Sequence, residues 1–185
     1  IEGREIAFCG VGVSNAPLVT MFLNKGAKVT VRDRRSMEQL GKLADDMAMQ
    51  GAKFRLGHDY LEGLEQEDIV FRTPGMQFHL PELDDARRSG VVVTSEMEVF
   101  FDLCPCPIFA VTGSDGKTTT TSIIAEMFRA AGKTVHLGGN IGRALLPLIE
   151  QIRPEDVAVV ELSSFQLISM RQSPQVAVVT NLSPN

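Results

Sequence analysis

Basic tracts, bilayer-length apolar runs and a cysteine framework are all missing from this sequence, and each absence narrows what the chain does. Lys and Arg number 18 against 23 Asp and Glu, a net charge of −5 with no basic cluster. That disfavours general nucleic-acid binding. No apolar stretch reaches the length a bilayer crossing requires, and the first residues lack a secretory pattern. Neither a nucleic-acid nor a membrane partner is expected. Cysteine occurs only at Cys9, Cys104 and Cys106, which suggests a reducing, cytoplasmic setting. Cys104-Pro105-Cys106 would be half a metal site, but no second Cys or His pair lies nearby, and core or loop thiols are the better reading. His58, His79 and His136 likewise lack metal-like partners at a useful spacing. No repeat or low-complexity segment occurs. Hydrophobic residues at 44% and charged residues at 22% are the balance of an ordinary globular protein.

What is present is a regular alternation of apolar strands and amphipathic helices. The first strand, residues 5–9, is followed by a glycine turn, a helix over 16–25 closed by Gly26, and a strand over 28–32 ending at Asp33. This βαβ unit implies a parallel sheet with right-handed crossovers. A single helix is predicted over 37–50, strands over 53–57 and 68–72, a helix over 80–89 and a strand over 91–94. A second series follows: a helix over 96–103, a strand over 107–111, a helix through 121–128, a strand over 133–137, a helix over 144–151, a strand over 156–160 and a core strand over 176–180. The expected architecture is α/β. A Rossmann-like parallel-sheet domain spans residues 1–94, and part of a P-loop-type mononucleotide-binding α/β domain spans 95–185.

The strongest motif lies where the 107–111 strand meets its helix: Thr112-Gly113-Ser114-Asp115-Gly116-Lys117-Thr118-Thr119. Strand, glycine turn, Lys-Thr, helix is the layout of a phosphate-binding loop. Glycines let backbone N–H groups turn inward around an anion, and the helix N-terminus adds its positive dipole end. Lys117 can reach terminal phosphates and the Thr118 hydroxyl can ligate Mg²⁺. The loop departs from the usual spacing, because Val111 stands five residues before Gly116 where a glycine is usual. Asp115 is a turn former, but its charge has no evident use beside phosphates.

Gly10-Val11-Gly12-Val13-Ser14-Asn15 resembles a dinucleotide fingerprint whose third glycine is replaced, and Asp33 stands 21 residues after Gly12, where an acid would meet a ribose. The replaced glycine argues against NAD and favours another nucleotide or nucleotide-sugar, the alternative being a tight turn that binds no ligand. Thr73-Pro74-Gly75-Met76 follows a strand on the same edge; it could close over the same ligand, but from the tetrapeptide alone a plain β-turn is the better reading. Arg34 and Arg35 suit a diphosphate or uracil rim, or simply a solvated face. In the second series Glu161 ends the strand over 156–160. It could point at a Mg²⁺ beside the phosphate loop or cap the helix that follows. Gly138-Gly139-Asn140-Ile141-Gly142 could line the same crevice, with Asn140 supplying both donor and acceptor.

The phosphate-loop run, Gly138-Gly139-Asn140-Ile141-Gly142 and Glu161-Leu162-Ser163-Ser164-Phe165-Gln166-Leu167 together resemble the Mur ligases of peptidoglycan synthesis. The last motif is similar to that of the D-glutamate-adding branch. The resemblance implies an ATP-dependent amide ligase that joins D-glutamate to UDP-N-acetylmuramoyl-L-alanine through an acyl phosphate. It implies ATP contacts at Gly113, Ser114, Asp115, Gly116, Lys117, Thr118 and Thr119, Mg²⁺ ligation by Thr118 and Glu161, and catalytic roles for Lys117, Asn140 and Glu161. Substrate contacts are implied at Val13, Ser14, Asp33, Arg34, Arg35, Thr73, Pro74, Gly75, Met76, Asn140, Ser163 and Gln166. The family continues beyond the equivalent of Asn185 into a histidine and a carbamylated lysine that serve a second Mg²⁺, then a third domain. The 185 residues are therefore expected to be inactive by themselves. The rival expectations are another ligase of this superfamily, including the folylpolyglutamate type, and a nucleotide-binding module without ligase activity.

Overall fold

The computed structural model describes residues 1–12 and 14–183. The chain divides into two compact units, Ile1–Glu96 and Met97–Asn185.

In the first unit β1 (Glu5–Cys9), β2 (Lys28–Asp33), β3 (Lys53–Leu56), β4 (Ile69–Arg72) and β5 (Val92–Thr94) form one sheet in the order β3-β2-β1-β4-β5. Every pairing is parallel. Helices α1 (Ala16–Asn24), α2 (Met37–Leu40), α3 (Lys42–Met49) and α4 (Pro81–Arg88) supply the crossovers, with a 3-10 turn at Leu64–Gln66. Alternation along β1 explains how both sheet faces are covered. Phe8 packs on one face, stacked on Phe71 at a ring separation of 5.0 Å and beside Phe22 at 5.8 Å. Ala7 and Cys9 join the opposite cluster with Tyr60, Leu61, Leu64, Val70, Leu83 and Ala86.

The single helix predicted over 37–50 is two helices. Ser36 and Gln39 close a capping box on α2, and Gly41, at φ 56° and ψ −140°, breaks the backbone before α3 starts. Apolar periodicity runs through a glycine that the backbone uses as a hinge. A second feature has no sequence signature. Arg32 on β2 is buried and donates to the Tyr60 and Glu62 carbonyls and, at 2.7 Å, to Glu67 Oε1. Both ionic side chains are only 6% exposed. This pair ties β2 to the segment leading into β4.

In the second unit β6 (Ile108–Thr112), β7 (Val135–Gly139), β8 (Val157–Glu161) and β9 (Val176–Val179) form a parallel sheet in the order β7-β8-β6-β9. Its helices are α5 (Glu96–Leu103), α6 (Lys117–Ala130) and α7 (Ser164–Leu167), with a 3-10 helix at Leu146–Gln151. β8 is buried along its whole length. Phe109 and Phe128 meet at 4.6 Å beside Val157 and Val159.

Three expectations change here. The helix predicted over 144–151 is 3-10, with Pro147 removing an early donor. The strand predicted from residue 133 runs instead from Val135 through both glycines. The strand over 176–180, expected in the core, lies outermost among the described strands of its sheet, with Val176 and Val179 exposed. An apolar run marks a strand but not its place in a sheet. Among the described residues no helix is long and apolar enough to cross a membrane.

Candidate functional site

In the second unit the strand order puts β8 beside β6 and β7 beside β8. The ends of these strands then bring distant residues together. Val111 pairs with Glu161, and Gly139 pairs with Glu161 from the other side. The turn after β6 carries Gly113 at φ 137° and Gly116 at φ 76°, conformations that disfavour any side chain. Gly116 is the N-cap of α6, which begins at Lys117 itself. Lys117 folds back over this turn, its Nζ donating to the Gly113 and Ser114 carbonyls at 2.8 Å each.

Glu161 is the centre of the cluster. It is 1% exposed. The Thr118 hydroxyl donates to Oε2 at 2.7 Å, and Asn140 Nδ2 donates to Oε1 at 2.9 Å. The Asn140 amide also donates to the Glu161 carbonyl at 2.8 Å. Gly139 must be glycine for this approach, since a Cβ there would overlap the Glu161 backbone. Lys117, Thr118, Asn140 and Glu161 therefore form one constellation. Capping of the following helix falls to another residue. Ser163 and Gln166 close a capping box on α7, so their polar groups satisfy each other instead of standing open to a ligand. Sequence reading missed Thr180 and Asn181, whose side chains hydrogen-bond to the Asp115 backbone.

The first unit gathers a second set of residues. Strand order reverses between β1 and β4, so the turns after these strands border the crevice where ligands of open α/β sheets sit. The two turns touch. Thr73 N donates to the Cys9 carbonyl at 3.0 Å, and a Cβ on Gly10 would lie 2.9 Å from Thr73 Cγ2. Met76 N closes the 73–76 turn on Thr73 O at 3.0 Å, with Pro74 and Gly75 between them. Asn15, standing where a third glycine is usual, is buried and donates from Nδ2 to the Gly10 carbonyl at 2.8 Å. Ser14 lies in the turn leading into α1, and Val13 lies outside the described residues.

Asp33 is not an open ribose acceptor in this arrangement. Its Oδ2 accepts the Val11 amide at 2.9 Å and Arg35 Nη2 at 2.8 Å; its Oδ1 accepts the Arg35 amide at 2.9 Å and Arg35 Nε at 3.0 Å. Burial raises the Asp33 carboxyl, but these Arg35 and Val11 hydrogen bonds outweigh it and hold the group below its ordinary value. Arg35 also donates to the Val11 carbonyl at 2.8 Å. Arg34 takes a different path. It lies 6.0 Å from the Tyr60 ring and lines a cavity of about 510 Å³ with His58, Asp59, Glu62 and Leu80. No sequence signal marked that cavity, because its walls come from the ends of β2 and β3 and from α4. Among the described residues no group of three or more His, Cys, Asp or Glu is placed to hold a metal ion.

Two family descriptions cover nearly all of the chain. "Mur ligase MurD-like, N-terminal domain" matches residues 4–95, and "Mur ligase middle domain" matches residues 111–185. The chain belongs to the Mur ligase family. Within that family it is 49% identical over 185 residues to a UDP-N-acetylmuramoylalanine–D-glutamate ligase of Acetivibrio thermocellus. It is 46% identical over the same length to one of Clostridium novyi. Both alignments cover 100% of this chain and 40% of the relative, so the chain spans less than half of the curated relatives it matches.

Solved structures agree on the fold of this Mur ligase chain. A UDP-N-acetylmuramate:L-alanyl-gamma-D-glutamyl-meso-diaminopimelate ligase from Neisseria meningitides superposes with a TM-score of 0.58 at 18% identity, covering 99% of this chain and 62% of that one. A murein peptide ligase from Psychrobacter arcticus gives 0.54 at 17%, covering 98% and 44%.

Proposed function

We propose that this chain serves as the UDP-substrate-binding unit and the phosphate-binding part of an ATP-dependent ligase that adds D-glutamate to UDP-N-acetylmuramoyl-L-alanine in the cytoplasm. What supports this reading most is the hydrogen bond from Thr118 to the buried Glu161 beside a glycine turn carrying Lys117. A hydroxyl and a carboxylate oxygen this close offer two hard donors to one small cation. Mg²⁺ commonly takes one or two such ligands and completes its shell with phosphate and water. Thr118 and Glu161 would hold it, and bound there it would offset phosphate charge. Asn140 would keep the Glu161 carboxylate oriented.

In the proposed reaction an oxygen of the alanyl carboxylate attacks the γ-phosphorus of ATP. The bond to the β-phosphate oxygen breaks, leaving an acyl phosphate and ADP. The D-glutamate amine then attacks the acyl carbon. The tetrahedral intermediate collapses as the C–O bond to phosphate breaks, and the amine proton passes to solvent or a base. Lys117 would leave the Gly113 and Ser114 carbonyls to meet the transferring phosphoryl group, stabilising charge in a turn already shaped for it. In the first unit Ser14, Arg34, Arg35 and residues 73–76 border the site proposed for the UDP portion. The cavity beside Arg34 and Tyr60 has a cationic and an aromatic wall, which suits a planar polar ring.

Calorimetric titration with UDP-N-acetylmuramoyl-L-alanine, with NAD as control, tests this reading. Binding of the UDP-sugar alone is expected. NAD binding with no UDP-sugar binding would overturn it in favour of a dinucleotide module.

A further inference from the structure

The segment following β9 is absent from every role assigned so far, yet it makes a dense set of contacts to the turn after β6. Thr180 N donates to the Thr112 carbonyl at 2.9 Å, extending the β6–β9 ladder by one step. The Thr180 hydroxyl donates to the Asp115 carbonyl at 2.6 Å. Asn181 then brackets one residue with its carboxamide. Oδ1 accepts the Asp115 amide at 3.0 Å, and Nδ2 donates to the Asp115 carbonyl at 3.1 Å. Its own carbonyl accepts the Ser114 amide at 3.1 Å. The Ser183 amide donates to Ser114 Oγ at 2.9 Å. Gly113 is glycine partly for this reason, since a Cβ there would overlap the Thr180 hydroxyl and sit 2.9 Å from the Asn181 carbonyl.

We propose that Asn181 is a positioning residue of the phosphate site, holding the Asp115 backbone on both sides of its Cα so that the turn keeps one shape and withholding the Asp115 amide from a bound anion. This rests on reading the turn as a phosphate loop. Only a carboxamide presents a donor and an acceptor side by side to a single residue's N–H and C=O. An aspartate there would set a second acceptor against the Asp115 carbonyl. With the Asp115 amide committed, anion binding falls to Lys117 and to the first amides of α6, which have no intrahelical partner. Asp115 then enters the site through its backbone, which Asn181 and Thr180 hold, and not as a phosphate donor. A loop fixed before a ligand arrives loses little conformational freedom when one binds.

The test uses the chain with Asn181→Ala, Asn181→Asp and Lys117→Ala, and reads two quantities. The first is amide exchange with solvent, followed by NMR. Asn181→Ala is expected to speed exchange at Asp115 and Ser114 about tenfold, as local opening loses its opposing hydrogen bonds, while β6 and β8 amides keep their rates. The second is affinity for inorganic triphosphate with Mg²⁺, expected to fall about tenfold in both Asn181 variants. Unchanged Asp115 exchange, or equal acceleration across β6 and β8, would overturn the positioning role whatever the triphosphate result. If neither the parent chain nor Lys117→Ala binds triphosphate, the phosphate-loop reading itself fails, while selective Asp115 exchange would still establish Asn181 as the strut of that turn.

Discussion

The Thr118 hydroxyl donates to Glu161 Oε2 at 2.7 Å across 43 residues of sequence. The contact exists because β6 and β8 are neighbours in a parallel sheet, so the residues at their carboxyl ends converge. Asn140, delivered by β7 on the far side of β8, occupies the other carboxylate oxygen. A buried acid held by two donors is oriented before any cation or phosphate arrives.

Replacing that acid is expected to separate stability from ligand binding. Glu161→Gln replaces a carboxylate that accepts from both Thr118 and Asn140 by a neutral amide, so one charge-assisted hydrogen bond is lost and the other weakened. A loss of about 1–3 kcal/mol is expected, read as a lower thermal midpoint. The Mg²⁺-dependent part of triphosphate affinity should vanish. Persistence of that dependence in a folded Glu161→Gln chain would remove Glu161 from the metal site.

The buried pair in the first unit gives a larger effect. Glu67→Ala strands the Arg32 guanidinium among backbone carbonyls, and breaking a buried pair from one side costs about 3–5 kcal/mol. The chain has one tyrosine and no tryptophan. Tyr60, whose carbonyl accepts from Arg32, is therefore a built-in fluorescent reporter of urea unfolding here. Replacing both partners, Arg32→Met with Glu67→Leu, should recover much of the loss. A shift of the midpoint no greater than that of a surface substitution would show the pair to be idle.

Asp33 sets a pH dependence whose sign follows from its depressed pKa. The unfolded carboxyl titrates near 3.8 and the folded one below it. Its contribution to stability is complete above that ordinary value and is lost as pH falls through the folded value. Asp33→Asn should therefore lower stability at neutral pH and flatten its decline below about pH 4. Urea midpoints measured between about pH 2.5 and 6 test this, and an unchanged acid slope would argue against the Arg35 pairing. Asp33→Asn should also loosen the 10–12 turn, since the Val11 amide depends on the same carboxylate.

The thiols should differ in reactivity. Cys104 Sγ lies 3.5 Å from Cys106 Sγ, and the hydrogen bond from Cys106 brings the Cys104 thiol down to about 7 despite partial burial. The same pairing and burial drive Cys106 upward, and burial pushes Cys9 to about 12. Iodoacetamide labelling followed by mass spectrometry should find Cys104 first, with a half-maximal rate near pH 7, because the thiolate is the nucleophile. Cys106→Ala should move that midpoint toward the ordinary 9.0. Equal labelling of all three thiols in the folded chain would contradict this arrangement.

Much of the candidate site was legible in advance for a physical reason. Glycines at Gly113 and Gly116, Lys117-Thr118 and the strand before them are adjacent in sequence, so local geometry alone announces a turn at a helix start. The continuous apolar runs of β1 and β8 similarly mark buried parallel strands. The family resemblance carried Asn140 and Glu161 because short motifs surround them. Helix character was less legible: 37–50 and 144–151 have the apolar spacing of helices, but Gly41 and Pro147 decide the backbone.

By itself, then, the sequence determined the alternation of strands and helices, the two glycine turns and the family to which the chain belongs, since each depends on residues close together along the chain. Only the tertiary structure decided that β9 pairs with β6, that Asp33 is committed to Arg35, that Arg32 meets Glu67, and that Asn181 meets the Asp115 backbone from 66 residues away. Those depend on which strands become neighbours. Polar side chains choose partners by distance and burial after the sheets form, and no periodicity in the sequence records that choice.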